Sequence, residues 1–345
     1  MIISRTPYRI SFFGGGTDYP DWYLKNGGEV LATSIDKYCY LTCRFLPPFF
    51  VHKLRVAYSK VEECCSVDDI DHPAVREVLN FLSIKSGLEI HHDGDLPARS
   101  GMGSSSSFTV GLLHALYALQ GTMPYKHQLA KESIYIEQEM IKETVGSQDQ
   151  FSSAYGGFNH IRFMQNGEIA VQPMTLSPGL VQELNSHLML FYTGIIRSAE
   201  EVARSYVSDI ESRDEQLVSI CQMVQESISL LKKEDLDSFG KLLHEAWMIK
   251  RSLSNMVSSS VIDDIYNNAL KAGAVGGKLS GAGGGGFLLL FVPPERQKEV
   301  RERLNRLIYV PIEFEFSGSQ IIFFDPQKNV RYDAKSLENI NPGGF

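Results

Sequence analysis

The sequence has little that would place the protein in a membrane, in an oxidising compartment or on a nucleic acid. None of its apolar runs approaches the roughly 20 residues of a transmembrane helix. The N-terminus, "MIISRTPYRI", has no apolar signal core with a cleavage site. The five cysteines form no CxxC pair, so we expect no disulfide scaffold. The net charge of -8 disfavours a nucleic-acid-binding surface. We therefore expect a cytoplasmic protein that binds neither nucleic acid nor membrane.

The composition is that of an ordinary globular protein, with 43% hydrophobic and 21% charged residues. A chain of 345 residues is long enough for a large core, and we expect two domains rather than one. Strand and helix patterns are mixed in both halves, which predicts an α/β or α+β fold. Polar residues and Pro178 follow a predicted hairpin and place the domain boundary near 170–185.

Four segments carry clear secondary-structure patterns. The β-branched and aromatic residues on either side of Asp36–Lys37 predict two strands joined at that point. Residues 104–121 predict a helix with a serine N-cap and an end at Gly121. Residues 126–144 predict a second, amphipathic helix. Asn166–Gly167 predicts the turn of a β-hairpin.

Glycine is concentrated in three places, which are Gly14–Gly16, residues 96–108 and residues 278–287. Because glycine costs conformational entropy, such clusters indicate sharp bends or a close approach of another group. At the first cluster that group is a phosphate, a substrate or another part of the chain. The third cluster is either a tight loop where a helix packs on a sheet or a loop that closes over a ligand.

The second cluster has the clearest physical meaning, because a glycine-rich turn leads directly into the predicted serine-rich helix. The first N–H groups of a helix lack intrahelical partners, and the helix dipole makes that end positive. Gly101 and Gly103 would let a phosphate approach the backbone closely, and serine hydroxyls there can ligate Mg²⁺. The second cluster matches neither the Walker A pattern nor the GxGxxG pattern. The alternative is a capped helix that binds nothing.

Two carboxylates are candidates for catalytic work. Asp149 lies in the segment "VGSQDQFSSAYGG" after a predicted helix, and Glu137 lies within that helix. A kinase needs one carboxylate to help hold Mg²⁺ and another group to accept or orient the proton of the attacking hydroxyl. The alternatives are a helix cap for Asp149 and a solvated helix-face charge for Glu137.

Three segments taken in order, "PYRISFFGGGTDY", "PARSGMGSSSS" and "KLSGAGGGG", carry a resemblance to a known family. They resemble the motifs of the GHMP kinases, the family of galactokinase, homoserine kinase, mevalonate kinase and phosphomevalonate kinase. The resemblance implies an α+β fold of two domains with the active site in the cleft between them. Residues 1–175 would resemble the second domain of ribosomal protein S5, and residues 176–345 would be ferredoxin-like. The implied reaction transfers the γ-phosphoryl group of ATP to a small molecule, and the family suggests a homodimer.

The resemblance also assigns roles around the second motif. Ser105 is the predicted Mg²⁺ contact, with Ser104 as the alternative, and Glu137 falls where the family's helix glutamate completes the Mg²⁺ site. The residues expected to surround the phosphates of ATP are Pro97, Gly101, Met102, Gly103, Ser104, Ser105 and Ser106.

Arg9 and Asp149 match the acid–base pair of galactokinases. Asp149 would accept the proton of the substrate hydroxyl or orient that hydroxyl. The fixed positive charge of Arg9 would balance the carboxylate and stabilise developing negative charge. Homoserine kinases lack this pair, so its presence favours the sugar and mevalonate branches of the family.

The first motif departs from that of galactokinases. Gly15 and Gly16 stand where galactokinases have the glutamate and histidine that help to grip galactose, whereas Thr17, Asp18 and Tyr19 are kept. The loss of two side chains widens the pocket and favours a larger sugar or one that already carries a phosphate. The predicted substrate contacts in the glycine clusters are Gly14, Gly15, Gly16, Thr17, Asp18, Gly281 and Gly283.

Arg197 and Lys250 are the candidate ligands for such an existing phosphate, and Lys278 is a weaker candidate. Arginine is suited to bidentate phosphate contacts. The alternative for each of these residues is an ordinary surface charge.

The segments "GGGTDY", "FYTGIIRSA" and "HEAWMIKRSLS" look most like those of D-glycero-D-manno-heptose 7-phosphate kinases. The resemblance implies phosphorylation of an anomeric hydroxyl for the synthesis of nucleotide-activated heptose and surface polysaccharide. Three alternatives stay open. They are a fucokinase-like or other sugar 1-kinase, a mevalonate-type kinase, and a non-catalytic sugar and ATP sensor on the same fold.

Overall fold

The computed structural model describes residues 1–47, 49–85, 87–196 and 198–325. Two β-sheets and the helices packed on them account for most of these residues. The strands are β1 (Ile2–Phe13), β2 (Gly28–Phe45), β3 (Leu54–Ala57), β4 (Val61–Cys64), β5 (Leu88–Gly94), β6 (Phe158–Phe163), β7 (Ile169–Pro173), β8 (Leu188–Tyr192), β9 (Gly276–Leu279), β10 (Phe287–Phe291), β11 (Ile308–Val310), β12 (Phe314–Glu315) and β13 (Gln320–Phe324).

The helices lie between these strands along the chain, singly or in runs. None of the described helices has both the length and the apolar run that a membrane span needs. The α-helices are α1 (Pro20–Asn26), α2 (Pro73–Phe81), α3 (Ser104–Leu119), α4 (Lys126–Tyr135), α5 (Gln148–Tyr155), α6 (Pro178–Ser186), α7 (Ala199–Val207), α8 (Asp214–Lys232), α9 (Leu236–Ser252), α10 (Ser260–Lys271) and α11 (Gln297–Arg303). Short 3₁₀ turns cover Val67–Asp69, Ile210–Arg213 and Pro294–Arg296, and Ile136–Met140 is π-helical.

The first sheet is built around two long antiparallel strands, β1 and β2. Its main path runs β13-β1-β2-β5-β3-β4, and β2 also pairs with β6 and β12. Helix α3 packs on β1 and β2. This packing holds the N-terminus of α3 beside the second half of β1.

Strand β2 corrects one prediction, since it runs unbroken from Gly28 to Phe45 instead of forming two strands joined at Asp36–Lys37. Those two polar residues lie where β2 changes partner, after its pairing with β12 and before its pairing with β5. Lys37 donates to the carboxylate of Asp36, and the same carboxylate accepts from the Glu313 backbone. The polar pair is therefore satisfied inside a continuous strand.

The second sheet is antiparallel, with the strand order β11-β8-β10-β9. Helix α9 packs on β9 and also reaches the first sheet. The Phe239 ring of α9 lies edge-on to Phe12 and Phe13 of β1, with ring centroids 5.7 Å and 5.2 Å apart. These contacts fix the two halves of the chain against each other at the end of β1.

The sheets do not follow the order of the chain strictly. Strands β12 and β13 come from the C-terminal half but pair with β2 and β1 in the first sheet. The α+β class and the two sheets agree with the predicted fold, and the β6–β7 hairpin around Asn166–Gly167 is confirmed. The boundary between 1–175 and 176–345 stays a prediction.

The predicted helix over 126–144 is shorter than expected. Helix α4 ends at Tyr135, and a π-helical segment continues from Ile136 to Met140. Single π turns inside helices are often found at functional sites. Here the π turn carries Glu137, whose side chain is directed into the protein and is fully buried.

Candidate active site

The N-terminus of α3 is open to an anion. Gly103 is the N-cap residue and has left-handed backbone angles, φ 75° and ψ 24°. The predicted serine N-cap is therefore wrong, because the serines begin one position later, inside the helix. Within the described part of the chain, no side chain caps the first turn. Its N–H groups and the positive end of the helix dipole are arranged to receive a negatively charged group.

Arg9 and Asp149 form a bidentate ion pair beside this helix end. Arg9 Nε and Nη2 donate to the two carboxylate oxygens of Asp149, each at 2.7 Å. Arg9 Nη1 also donates to the Gly101 carbonyl at 2.8 Å, and its backbone N–H donates to the Met102 carbonyl at 3.1 Å. Arg9 is only 3% exposed, whereas the Asp149 side chain is 23% exposed. The carboxylate is thus held rigidly and remains reachable from the cleft.

Gly103 brings this pair against the N-terminus of α3. A Cβ atom added to Gly103 would lie 3.2 Å from Arg9 Cγ and 3.4 Å from Asp149 Oδ2. A side chain at this position would therefore press on both residues. The absence of one lets the Asp149 carboxylate lie next to the N-terminus of α3.

Glu137 provides a buried carboxylate on the other side of α3. Ser106 Oγ donates to Glu137 Oε2 at 2.9 Å, and the Gln150 side-chain amide donates to the same oxygen. Glu137 Oε1 has no hydrogen-bond partner among the described residues. Burial raises the pKa of Glu137 to about 7, against the hydrogen bonds that Gln150 and Ser106 donate.

A free carboxylate oxygen beside a serine hydroxyl fits a divalent cation. Mg²⁺ prefers oxygen ligands and is usually held by one or two carboxylates together with substrate phosphates. The structure brings Ser106 to Glu137, whereas the predicted Mg²⁺ ligand Ser105 has an exposed side chain. Ser104 Oγ accepts from the Arg99 backbone N–H at 3.3 Å. A role of Ser104 or Ser105 at the metal stays a prediction.

Asp18 follows the first glycine cluster and is 1% exposed. Its carboxylate accepts from the backbone N–H of Gly16 at 3.0 Å and from that of Gln148 at 3.3 Å. Burial raises the pKa of Asp18, and the charge of Asp149 adds to this rise. The neighbouring Thr17 hydroxyl donates to the Gly14 carbonyl at 2.9 Å, so it stabilises the loop itself.

Two lysines reach the cleft from the second half of the chain. Lys250 is 6% exposed and Lys278 is 5% exposed, so neither is a surface charge. Lys250 Nζ donates to the Gly281 carbonyl, and Lys278 Nζ donates to the Phe12 carbonyl at 3.0 Å. Burial, and then the charge of Arg9, lower the pKa of Lys250 to about 8. The pKa of Lys278 is also lowered, by burial and then by Lys250. Arg197 lies outside the described residues.

Several predicted glycine contacts are explained by the chain itself. A Cβ on Gly14 would overlap the Glu29 carbonyl oxygen. A Cβ on Gly281 would lie 2.6 Å from Gly101 Cα, and one on Gly283 would lie 2.6 Å from the Val257 carbonyl oxygen. These positions need glycine because two backbone segments meet there, and their contact with a substrate stays a prediction.

Two family models match the chain. The model described as the GHMP kinases N terminal domain matches residues 72–157, and the model described as GHMP kinases C terminal matches residues 227–310. The chain belongs to the GHMP kinase family. The family consists of ATP-dependent kinases, and the assignment of the N-terminus of α3, the Arg9–Asp149 pair and Glu137 to the kinase site stays a prediction.

Similar proteins include several sugar kinases. The chain is 27% identical to a D-glycero-alpha-D-manno-heptose 7-phosphate kinase of Campylobacter jejuni over 88% of this chain and 93% of that one. It is 26% identical to a bifunctional fucokinase/GDP-fucose pyrophosphorylase of Arabidopsis thaliana, over 87% of this chain and 30% of the longer relative. A crystal structure of a D-glycero-D-manno-heptose 1-phosphate kinase from Bacteroides thetaiotaomicron shares the fold, with a TM-score of 0.78, 24% identity and coverage of 94% of this chain and 100% of that one.

Some parts of this GHMP kinase site carry weak sequence signals. Gln150, which donates to Glu137, stands next to Asp149, so only its place after the predicted proton acceptor could have indicated it. Which serine meets Glu137 depends on the rotation of α3 about its axis. A run of identical serines does not define that rotation, so the sequence did not distinguish Ser106 from Ser105. Among the predicted phosphate contacts, Met102 is fully buried and offers only its backbone, whereas Pro97 is exposed. The contacts of both residues with ATP stay predictions.

Proposed function

We propose that this GHMP kinase uses ATP to phosphorylate the anomeric hydroxyl of a sugar phosphate, most specifically D-glycero-D-manno-heptose 7-phosphate. The product would be the 1,7-bisphosphate, a precursor of nucleotide-activated heptose for surface polysaccharide. The observation that carries the kinase mechanism is the bidentate Arg9–Asp149 pair lying against the uncapped N-terminus of α3. The choice of heptose is supported by the similarity to the heptose kinase of Campylobacter jejuni.

The nucleotide side of the reaction is supported by α3. The β- and γ-phosphates of ATP would lie at its first-turn N–H groups, where the backbone and the helix dipole favour negative charge. Ser106 and Glu137 would hold Mg²⁺, since their oxygens meet beside this helix and Glu137 Oε1 is free. When bound, Mg²⁺ neutralises phosphate charge during transfer.

Asp149 acts on the acceptor. Its carboxylate takes the proton of the anomeric hydroxyl while the hydroxyl oxygen forms a bond to the γ-phosphorus. The bond between this phosphorus and the β–γ bridging oxygen breaks, and ADP leaves. Arg9 fixes the orientation of the carboxylate through two hydrogen bonds and places a permanent positive charge beside the transferred group.

Lys250 and Lys278 support an acceptor that already carries a phosphate. Both are buried, and Arg9 adds a third positive charge that acts on Lys250 and Lys278. The carboxylates of Asp18 and Asp149 offset part of this positive charge, and an anionic ligand would lower the cost of burying the lysines further. The phosphate that the acceptor sugar already carries would supply this negative charge.

The test is an ADP-release assay over heptose 7-phosphate, fucose, mannose, galactose and mevalonate. We expect the highest kcat/KM with heptose 7-phosphate. A preference for fucose would instead favour the fucokinase-like function suggested by the Arabidopsis relative. Binding of ATP without ADP release on any acceptor would favour a sensor.

The mechanism is tested by Asp149→Asn, which keeps the shape of the side chain but removes its basicity. We expect kcat to fall by about 10²–10⁴-fold with little change in ATP affinity. Asp21→Asn, on the exposed start of α1, is the matched control and should retain wild-type turnover. Wild-type kcat in Asp149→Asn would remove the proposed base.

A further inference from the structure

Two buried polar side chains at the acceptor end of the cleft have atoms without a partner. Ser11 is 9% exposed and Gln148 is 8% exposed. Ser11 Oγ and Gln148 Oε1 form no hydrogen bond with any of the described residues. An unpaired buried polar group costs free energy, so each such group in a native protein needs an explanation.

The positions of these residues link them to the catalytic pair. Ser11 lies two residues after Arg9 on β1, in a stretch of regular pairing with β2, so the two side chains leave the same face of the strand. Gln148 immediately precedes Asp149 at the start of α5. Both unpaired atoms therefore belong to the segments that carry the proposed proton acceptor and its partner.

Gly15 connects the two groups. A Cβ atom added to Gly15 would lie 3.5 Å from Ser11 Oγ and 3.6 Å from Gln148 Nε2, which are ordinary contact distances. Gly15 itself is partly exposed. The missing side chain of Gly15 thus leaves space beside Ser11 Oγ and the amide end of the Gln148 side chain.

The chemistry of each atom defines what it would bind. The Gln148 backbone N–H donates to the Asp18 carboxylate, and the Gln148 side chain also lowers the pKa of Asp18, which turns its amide N–H toward that carboxylate. Because a carboxylate only accepts, the amide nitrogen must face Asp18, and Oε1 is left as an acceptor that needs a donor. A serine hydroxyl can donate and accept. A pair of sugar hydroxyls satisfies both groups, whereas an apolar or purely anionic group does not.

We propose that Ser11 and Gln148 bind ring hydroxyls of the acceptor sugar, reached past Gly15, and so determine which sugar is phosphorylated. The proposal rests on the proposed function, because it requires a sugar as acceptor. It extends the predicted substrate contacts to two residues that the sequence motifs did not indicate. These residues position the substrate and take no part in proton transfer.

Ser11→Ala gives the sharper test. If the hydroxyl is unpaired in the free enzyme, its removal should leave the unfolding temperature unchanged or raise it, whereas a structural hydroxyl would lower it. With the sugar that wild type phosphorylates best, KM for the sugar should rise about threefold to tenfold, with KM for ATP unchanged. Ser11→Thr, which keeps a hydroxyl, should recover part of the loss. Gln148→Met should raise the same KM.

The matched control is Ser133→Ala. Ser133 Oγ is also buried and unpaired among the described residues, but it lies on α4. This variant should keep the wild-type KM for the sugar. Deoxy analogues of the sugar complete the test, because the analogue that lacks the bound hydroxyl should have the same KM with wild type and Ser11→Ala.

The outcomes separate the two proposals. If wild type phosphorylates a sugar, but Ser11→Ala keeps its KM or unfolds at a lower temperature, the role of Ser11 is overturned and the kinase function stands. If wild type binds ATP but phosphorylates no sugar in the panel, the proposed function fails, and the inference about the hydroxyls fails with it.

Discussion

The two glycine loops of the cleft, Gly14–Gly16 and Gly281–Gly286, look alike in sequence but need glycine for different reasons. In the C-terminal loop, a Cβ on Gly285 would overlap the Ile195 carbonyl oxygen, and one on Gly286 would overlap that of Ser100. In the N-terminal loop only Gly14 meets backbone in this way, whereas Gly15 faces side chains at ordinary distances. One loop is fixed by chain packing, and the other includes a position where glycine provides room.

This difference separates what the fold requires from what the substrate can select. A backbone overlap cannot be relieved by moving a side chain, so the C-terminal loop depends on its glycines for folding. At Gly15 an added Cβ would meet only the side chains of Ser11 and Gln148 within 4 Å. The identity of residue 15 can therefore vary with the substrate while the fold is kept.

The largest expected effect tests the packing side of the comparison. Gly286→Ala and Gly14→Ala should each lower the free energy of unfolding by more than about 4 kcal/mol, because the added methyl group overlaps a carbonyl oxygen and φ is positive at both positions. Urea denaturation measures the loss. Gly179→Ala is the control, since its added Cβ meets nothing within 4 Å. Wild-type stability in Gly286→Ala would contradict the packing argument.

A smaller effect concerns Lys250, which donates to Gly281 in the C-terminal loop. Burial lowers the pKa of Lys250 from 10.5 to about 8, so the charged form destabilises the folded state. Lys250→Met should therefore be more stable than wild type at pH 7, by about 3 kcal/mol. The difference should shrink as the pH rises from 8 and disappear above 10.5, where the lysine is neutral in both states.

Urea denaturation of Lys250→Met and wild type at pH 7 and at pH 9.5 measures this change with pH. Lys241→Met is the control on the same helix, because its side chain is 63% exposed. That variant should show no gain in stability at pH 7. A stability difference between Lys250→Met and wild type that does not depend on pH would show that the charge of Lys250 is not the cause. In the activity assay, Lys250→Met should also raise KM for the sugar phosphate.

The smallest effect on stability is expected at Gly15. Gly15 has no positive φ, and its added Cβ makes only ordinary contacts. Gly15→Ala should therefore change the free energy of unfolding by less than about 1 kcal/mol. The same change should raise KM for the acceptor sugar about tenfold, by about 1.4 kcal/mol, because the methyl group blocks the path to Ser11 and Gln148. If Gly15→Ala does not fold, the predicted difference in stability between Gly15→Ala and Gly14→Ala is wrong.

The sequence allowed the α+β class, the β6–β7 hairpin and the family to be predicted, because each has a local or ordered pattern. The pairing of Arg9 with Asp149 follows from the family resemblance, and the structure has both hydrogen bonds. The continuous strand β2 was missed because its polar Asp36–Lys37 pair resembles a turn until the strands on either side are known.

Other features depend on rotation and tertiary contact, which a single sequence does not define. The N-cap at Gly103 and the choice of Ser106 to meet Glu137 follow from how α3 is rotated on the sheet. The π turn at Ile136–Met140 replaces a helix pattern that continues smoothly in the sequence. The sequence left Lys250 as a possible surface charge, whereas in the structure it is buried.

The pairing of β13 with β1 has a consequence for synthesis. The first strand of the protein gains this neighbour only when residues 320–324 have left the ribosome, and the backbones of Met1 and Asp325 then bond in both directions. Until that moment one edge of the first sheet carries unpaired backbone groups, the kind of edge on which chains aggregate. The first sheet is therefore completed late in synthesis. A nascent chain stalled before β13 would expose the open strand edge to chaperones.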